Sequence, residues 1–61
     1  MQWRKVIDKL NERADMITRE TLDAIEKKSI SGQQAAPLMN NAIVLSSIAE
    51  ALEEGLEESE K

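Results

Sequence analysis

The chain has no cysteine, histidine, tyrosine or phenylalanine, and its single tryptophan is Trp3. Without cysteine it cannot form a disulfide, and without cysteine and histidine it lacks the usual ligands of zinc. The same absences remove the commonest general base and the most reactive nucleophile of enzymes. The sequence also contains no glycine-rich phosphate loop and no G-x-S-x-G pattern. We therefore expect a protein that is not an enzyme and that uses no cofactor.

Carboxylates are the remaining candidates for metal binding. Glu50 with Glu54, and Glu53 with Glu57, are pairs one helical turn apart that could hold a hard cation. The spacing of an EF-hand loop is absent, however, and runs of glutamate usually form a solvated helix face. We predict no metal site.

The length of 61 residues predicts one small domain over residues 1–61. A chain of this size buries only about 60% of its unfolded surface, and such domains commonly gain stability by oligomerising. Charges at positions 4, 5, 8 and 9 interrupt the start of the chain, so it has no apolar core of the kind that a signal peptide contains. No apolar run approaches the about 20 residues of a membrane span. We expect a cytoplasmic protein with no membrane partner.

Glycine and proline are scarce, and neither occurs before Gly32. This predicts a first helix over residues 2–28, a turn over 29–35 and a second helix over 36–58. The start of the second helix has two interpretations. Ser31 and Gln34 have the spacing of a capping box, which would start the helix at the turn. Pro37 would then lie in the second turn, whereas a start near Ala36 would place it in the first.

Two ladders of apolar and small residues repeat at heptad spacing, as in a coiled coil. The first ladder is Trp3, Ile7, Leu10, Ala14, Ile17, Thr21 and Ala24. The second ladder is Leu38, Ala42, Leu45, Ala49, Leu52 and Leu56. Folding the chain about Ser31 places Leu10 opposite Leu52. The same register places Ile17 opposite Leu45, so we predict an all-α fold, an antiparallel two-helix hairpin.

Charge is distributed unevenly between the two predicted helices. Residues 1–28 carry seven basic and six acidic side chains, whereas residues 29–61 carry six glutamates and one lysine. The predicted register places the glutamates of the second helix beside the basic residues of the first, which are Arg4, Lys5, Lys9 and Arg13. It also places Gly55 near Trp3, where the missing side chain would make room for the indole.

We call the predicted contact between the two ladders the seam. Several apolar residues lie beside or outside it. We predict that they form an intermolecular face, composed of Leu22, Ile25, Ile30, Met39, Ile43, Val44 and Ile48. A second hairpin would cover this face and give a four-helix bundle, and a two-fold dimer is the commonest closed arrangement.

The function predicted from these features is a small protein–protein interaction module, an adaptor, regulator or assembly subunit acting as a homodimer. The first alternative is a hetero-complex subunit, such as a small chaperone or inhibitor, that buries this second apolar surface, the intermolecular face, on another protein. The second alternative is an RNA-binding helical bundle that uses the basic residues of the first helix. Acidic residues alternate with those basic residues, so we do not expect nucleic acid to be the main partner.

Overall fold

The computed structural model describes residues 2–59, so Met1, Glu60 and Lys61 lie outside the described part. Two helices form the fold, α1 over Trp3–Glu26 and α2 over Gly32–Ser59. They pack against each other as a hairpin, which confirms the all-α fold class. The molecule measures 48 × 16 × 14 Å, so it is one helix long, two helices wide and only one helix thick. Every helix therefore has a side that no other part of the described chain covers.

The end of α1 is set by a compact backbone motif. Lys28 adopts the left-handed conformation with φ of 59°. Its N–H donates to the carbonyl of Ile25, and the N–H of Ser29 donates to the carbonyl of Ala24. This is the Schellman arrangement, which satisfies carbonyls that the helix leaves open. Lysine occupies the position that glycine normally fills, so the turn forms at some cost in backbone energy.

The start of α2 differs from the predicted boundary at residue 36. The helix begins at Gly32, because Ser31 and Gln34 form a reciprocal capping box. The Gln34 N–H donates to Ser31 Oγ over 3.2 Å, and the Ser31 N–H donates to Gln34 Oε1 over 2.9 Å. These two bonds satisfy donors that a helix start otherwise leaves open. The capping box is therefore the correct one of the two interpretations.

Pro37 consequently lies inside α2, in its second turn. It has no N–H to donate to the carbonyl four residues earlier, which belongs to Gln33. Gln33 is exposed, so water can reach this end of the helix and the lost bond is less costly than it would be in a core.

The short turn changes the register of the hairpin. Only residues 27–31 separate the helices, so Glu26 and Gly32 lie at the same end. Residues whose numbers add up to about 58 are then level with each other along the two helices. The buried residues agree with this estimate, because Ile7 and Ala49, Ala14 and Ala42, and Thr21 and Ala35 each add up to 56. The predicted register, in which Leu10 lies opposite Leu52, was therefore wrong by about one helical turn. The ion pair between Arg4 and Glu53 at the open end agrees with the observed register.

The core between the helices consists mainly of small residues. The buried positions recur every seven residues on each helix, and they are Ile7, Ala14, Thr21, Ala35, Ala42 and Ala49. Ala49 is the most enclosed of them, with 1% of its surface exposed. Alanine at the contact lets helix axes approach closely. The same feature limits the apolar area that the hairpin buries, since Ile7 is the one large apolar side chain buried among the described residues.

An uncharged segment includes the second part of the turn and most of α2. Residues 29–49 contain no aspartate, glutamate, lysine or arginine. As a result, α2 is long and apolar enough to cross a membrane by length and composition, although the expectation from the sequence was that no segment would be. The core helix of a small globular protein meets the same criterion, so this property by itself is weak evidence for a membrane.

Candidate interaction surface

One side of the hairpin carries an open apolar groove, and we call this side the front face. The groove has a volume of about 610 Å³ and runs between the helices. Val6, Leu10 and Ile17 of α1 line it together with Leu45 of α2. These four side chains are half-buried, because the partner helix covers only one side of each. The helical repeat places three more apolar residues of α2 on the same side as Leu45, namely Leu38, Ile48 and Leu52.

A smaller groove of about 220 Å³ lies at the open end of the hairpin. Trp3 lines it with Leu52, Gly55 and Leu56, and 43% of the Trp3 surface is exposed. A Cβ added to Gly55 would meet no other atom within 4 Å. The expectation that Gly55 makes room for the indole was therefore wrong, since the groove already has space for a side chain there.

The two edges of the front face differ in charge. On the α1 edge, the aliphatic parts of Lys5, Lys9 and Arg13 contribute to the wall of the large groove. On the α2 edge, the helical repeat places only uncharged residues, which are Asn41, Val44, Ile48, Ala51 and Gly55. A partner on the front face would therefore meet basic groups along the open-end half of the α1 edge and uncharged side chains along the α2 edge.

The opposite side of the hairpin, which we call the back face, is more polar. Its groove of about 220 Å³ is lined by Thr18 of α1 and by residues of α2. Met39 and Ile43 supply apolar side chains there, whereas Ser46 and Glu50 are polar. The Thr18 hydroxyl donates to the Ala14 carbonyl over 2.9 Å, so it is already used within α1. The back face therefore has a short apolar segment near the turn and polar groups beyond it.

The seven residues predicted to form one intermolecular face lie on both sides of the hairpin. Leu22, Ile25, Ile43, Val44 and Ile48 are exposed, and Ile30 and Met39 are half-buried. Met39 and Ile43 line the back groove, whereas Val44 and Ile48 lie toward the front face, because successive helical residues point about 100° apart. They do not form a single surface.

Leu10, Ile17 and Leu45 belong to the predicted ladders, whereas Val6 lies outside them. The structure leaves all four accessible from the front groove, because alanines occupy the closest contact. The heptad spacing of the alanines was the available signal for this arrangement. It is the small size of these side chains, together with their spacing, that marks where the helix axes approach most closely.

The predicted pairing between the glutamates of α2 and the basic residues of α1 is present at one position. Arg4 and Glu53 approach to 3.9 Å, the single ion pair between the helices in residues 2–59. Lys9 pairs within α1, with Glu12 at 3.5 Å. Glu50 lines the back groove while Lys5 lines the front groove, so the hairpin separates most of the opposite charges.

Among the described residues, Thr21 is the one polar residue that is buried. Within residues 2–59, no group of three or more aspartates and glutamates is placed to hold a metal ion. Asn40 and Asn41 are both exposed, so neither sets a register inside the hairpin.

No protein-family model, curated protein or solved structure matches the chain.

Proposed function

We propose that the chain is a non-enzymatic protein–protein interaction module that acts as a homodimeric four-helix bundle. The observation that carries this proposal is the extent of the uncovered apolar surface on a hairpin with a core of small residues. Exposed large apolar side chains occur along both helices, including Leu38, Val44 and Ile48 on or beside the front face. Contiguous apolar surface of this kind marks an interaction site.

The total surface supports a partner of similar size. The chain exposes 4966 Å², whereas a compact monomer of 6.8 kDa would expose about 3,950 Å². The difference between these two areas is similar in size to the surface of about 800 Å² that each partner buries in a standard protein–protein interface. A second copy of the same hairpin would cover such an area and create the second layer that the fold lacks.

The composition of the core supports the same conclusion. Alanine contributes little to hydrophobic stabilisation, and Ile7 is the one large apolar residue buried in the described part of the chain. Domains below about 70 residues rarely reach more than about 3–5 kcal/mol from one core, even when it is well filled. Association would bury the half-exposed leucines and isoleucines of the front face and add the missing stability.

Molecular mass in solution tests the proposal. Sedimentation or light scattering across a wide concentration range should give about 14 kDa, twice the 6.8 kDa of the chain. Ile48→Glu, which places a charge on the front face, should weaken association at least tenfold. Ser47→Glu is the matched control, because it introduces the same residue at the neighbouring exposed position and should leave the dimer intact. A folded 6.8 kDa monomer at all concentrations would contradict the proposal.

A second candidate function is that of a hetero-complex subunit, and the back face favours it. A front-to-front dimer would leave Leu22 and Ile43 exposed, at 54% and 61%. An adaptor would bind another protein through such residues. Poor solubility or partial unfolding of the purified chain would favour this role over a self-contained dimer.

RNA binding through α1 is the third candidate. Lys5, Lys9 and Arg13 lie along one edge, which is the arrangement that phosphate binding would use. The net charge of −4 and the acidic residues on α1 oppose it. A salt-sensitive shift of RNA by the purified chain would support this function, and its absence would remove it.

A further inference from the structure

We propose that the second copy docks on the front face in the antiparallel orientation, with the open end of one hairpin beside the turn of the other. In this arrangement the two-fold axis is perpendicular to the helices. Each α1 then contacts α1 of the second copy, and each α2 contacts α2 of the second copy. The inference rests on the proposed function, since it specifies the geometry of the same dimer.

The α2 side of the front face is compatible with this orientation because its edge carries no charged side chain. Leu38, Leu45 and Leu52 are spaced evenly by seven residues on the front side of α2. Rotation about an axis near Leu45 places Leu38 of one copy at the level of Leu52 of the other. The ladder is therefore self-complementary when reversed, and apolar surface meets apolar surface from end to end.

The α1 edge supports the same orientation through its charges. Lys5, Lys9 and Arg13 lie in the half of α1 near the open end, where Glu12 pairs with Lys9 at 3.5 Å. The helical repeat places Glu20, Asp23 and Lys27 on the same edge in the half near the turn, where Lys27 pairs with Asp23 at 3.0 Å. The edge therefore carries excess basic charge toward the open end and excess acidic charge toward the turn, which is complementary to itself only when one copy is reversed. Complementary charges of this kind select the orientation of a complex more than they add affinity.

The parallel alternative lacks this match. If the two-fold axis ran along the helices, α1 of one copy would lie across from α2 of the other. The basic side chains of Lys9 and Arg13 would then be set against the uncharged edge that contains Val44 and Ile48. Charged groups placed against apolar surface lose water without gaining a partner, which is unfavourable.

Distances between spin labels test the orientation. The chain has no cysteine, so each single-cysteine variant carries one label per copy. Gln33→Cys lies near the turn, Ser47→Cys near the middle of α2, and Glu54→Cys near the open end, and all three positions are exposed. Mass and circular dichroism of each labelled variant should equal those of the parent, which controls for disruption by the label.

The antiparallel dimer predicts a distinctive pattern of distances by pulsed electron paramagnetic resonance. Residues 33 and 54 are each about 10 residues from the middle of the hairpin, so each pair of end labels is separated by about 30 Å along the axis. Both end distances should therefore exceed the distance at residue 47 by about 15 Å or more. Three nearly equal distances on a stable dimer would overturn the orientation and leave the dimer itself in place.

Two further outcomes concern the dimer and not only its orientation. A folded chain that gives no dipolar coupling at any position and the mass of a monomer would overturn both proposals together. A monomer that cosediments with vesicles of phosphatidylserine and phosphatidylcholine would assign the apolar groove and its basic edge to a membrane surface, and would also overturn both.

Discussion

Replacing Ala49 by leucine should destabilise the protein more than any other single apolar substitution in α2. Ala49 has 1% of its surface exposed, and it belongs to the row of alanines at which α1 and α2 are closest. Leucine adds three carbon atoms where helix axes are about 8–10 Å apart, and Ala49 lines none of the three grooves described above.

The expected cost follows from overpacking of a close helix–helix contact. Inserting methylene groups into a filled core costs about 1–3 kcal/mol. A domain of this size has only about 3–5 kcal/mol of stability from its core, so the substitution would remove a large fraction of it. Because 1 kcal/mol moves the midpoint of a domain near this size by about 4–8 °C, Tm should fall by about 4–24 °C.

Urea and thermal unfolding followed by circular dichroism measure this effect, at equal protomer concentration because association contributes to stability. Ala36→Leu is the matched control, since it makes the same substitution at an exposed position of the same helix. It should change the free energy of unfolding by no more than about 0.5 kcal/mol. If Ala49→Leu unfolded together with the parent and with Ala36→Leu, the close approach of the helices at Ala49 would be refuted.

Three further substitutions test the turn and the surface, each by urea unfolding. Lys28→Gly should stabilise the protein by about 0.5–1 kcal/mol because Lys28 has a φ of 59°, and Lys28→Ala should not, which separates backbone strain from loss of charge. Ser31→Ala should cost about 0.5–2 kcal/mol by removing the capping box, whereas Ser29→Ala should be nearly neutral, and equal effects would contradict the cap. Arg4→Ala should cost less than about 1 kcal/mol, because its ion pair with Glu53 is exposed, and a larger loss would indicate a buried role for Arg4.

The sequence predicts the hairpin because its local signals agree with one another. The absence of glycine and proline before Gly32 leaves α1 uninterrupted, and the heptad ladders identify the sides of the helices that meet. The break near Ser31 separates the helices. The spacing of Ser31 and Gln34 is that of a capping box, and α2 begins directly after Ser31. Periodicity and capping are local properties, so a sequence alone can reveal them.

The candidate site could be predicted only in part. Heptad spacing alone does not distinguish the central rung of a helix contact from the rungs at its sides, and the prediction therefore placed Leu10, Ile17 and Leu45 wholly in the seam. The intermolecular set was predicted as one face, although Ile43 and Ile48 lie on different sides of α2. The side that a residue occupies depends on how the two helices are rotated against each other, which the spacing of residues in the sequence does not reveal.

The sequence by itself determined that the chain forms two amphipathic helices of similar length joined by one turn, and that its charges are concentrated away from residues 29–49. The tertiary structure decided the register and the exposed surface. The left-handed Lys28 and the capping box of Ser31 shorten the turn, which moves α2 by about one helical turn along α1. Alanines then fill the closest contact, so the larger apolar residues remain on the front face, where only another molecule can cover them.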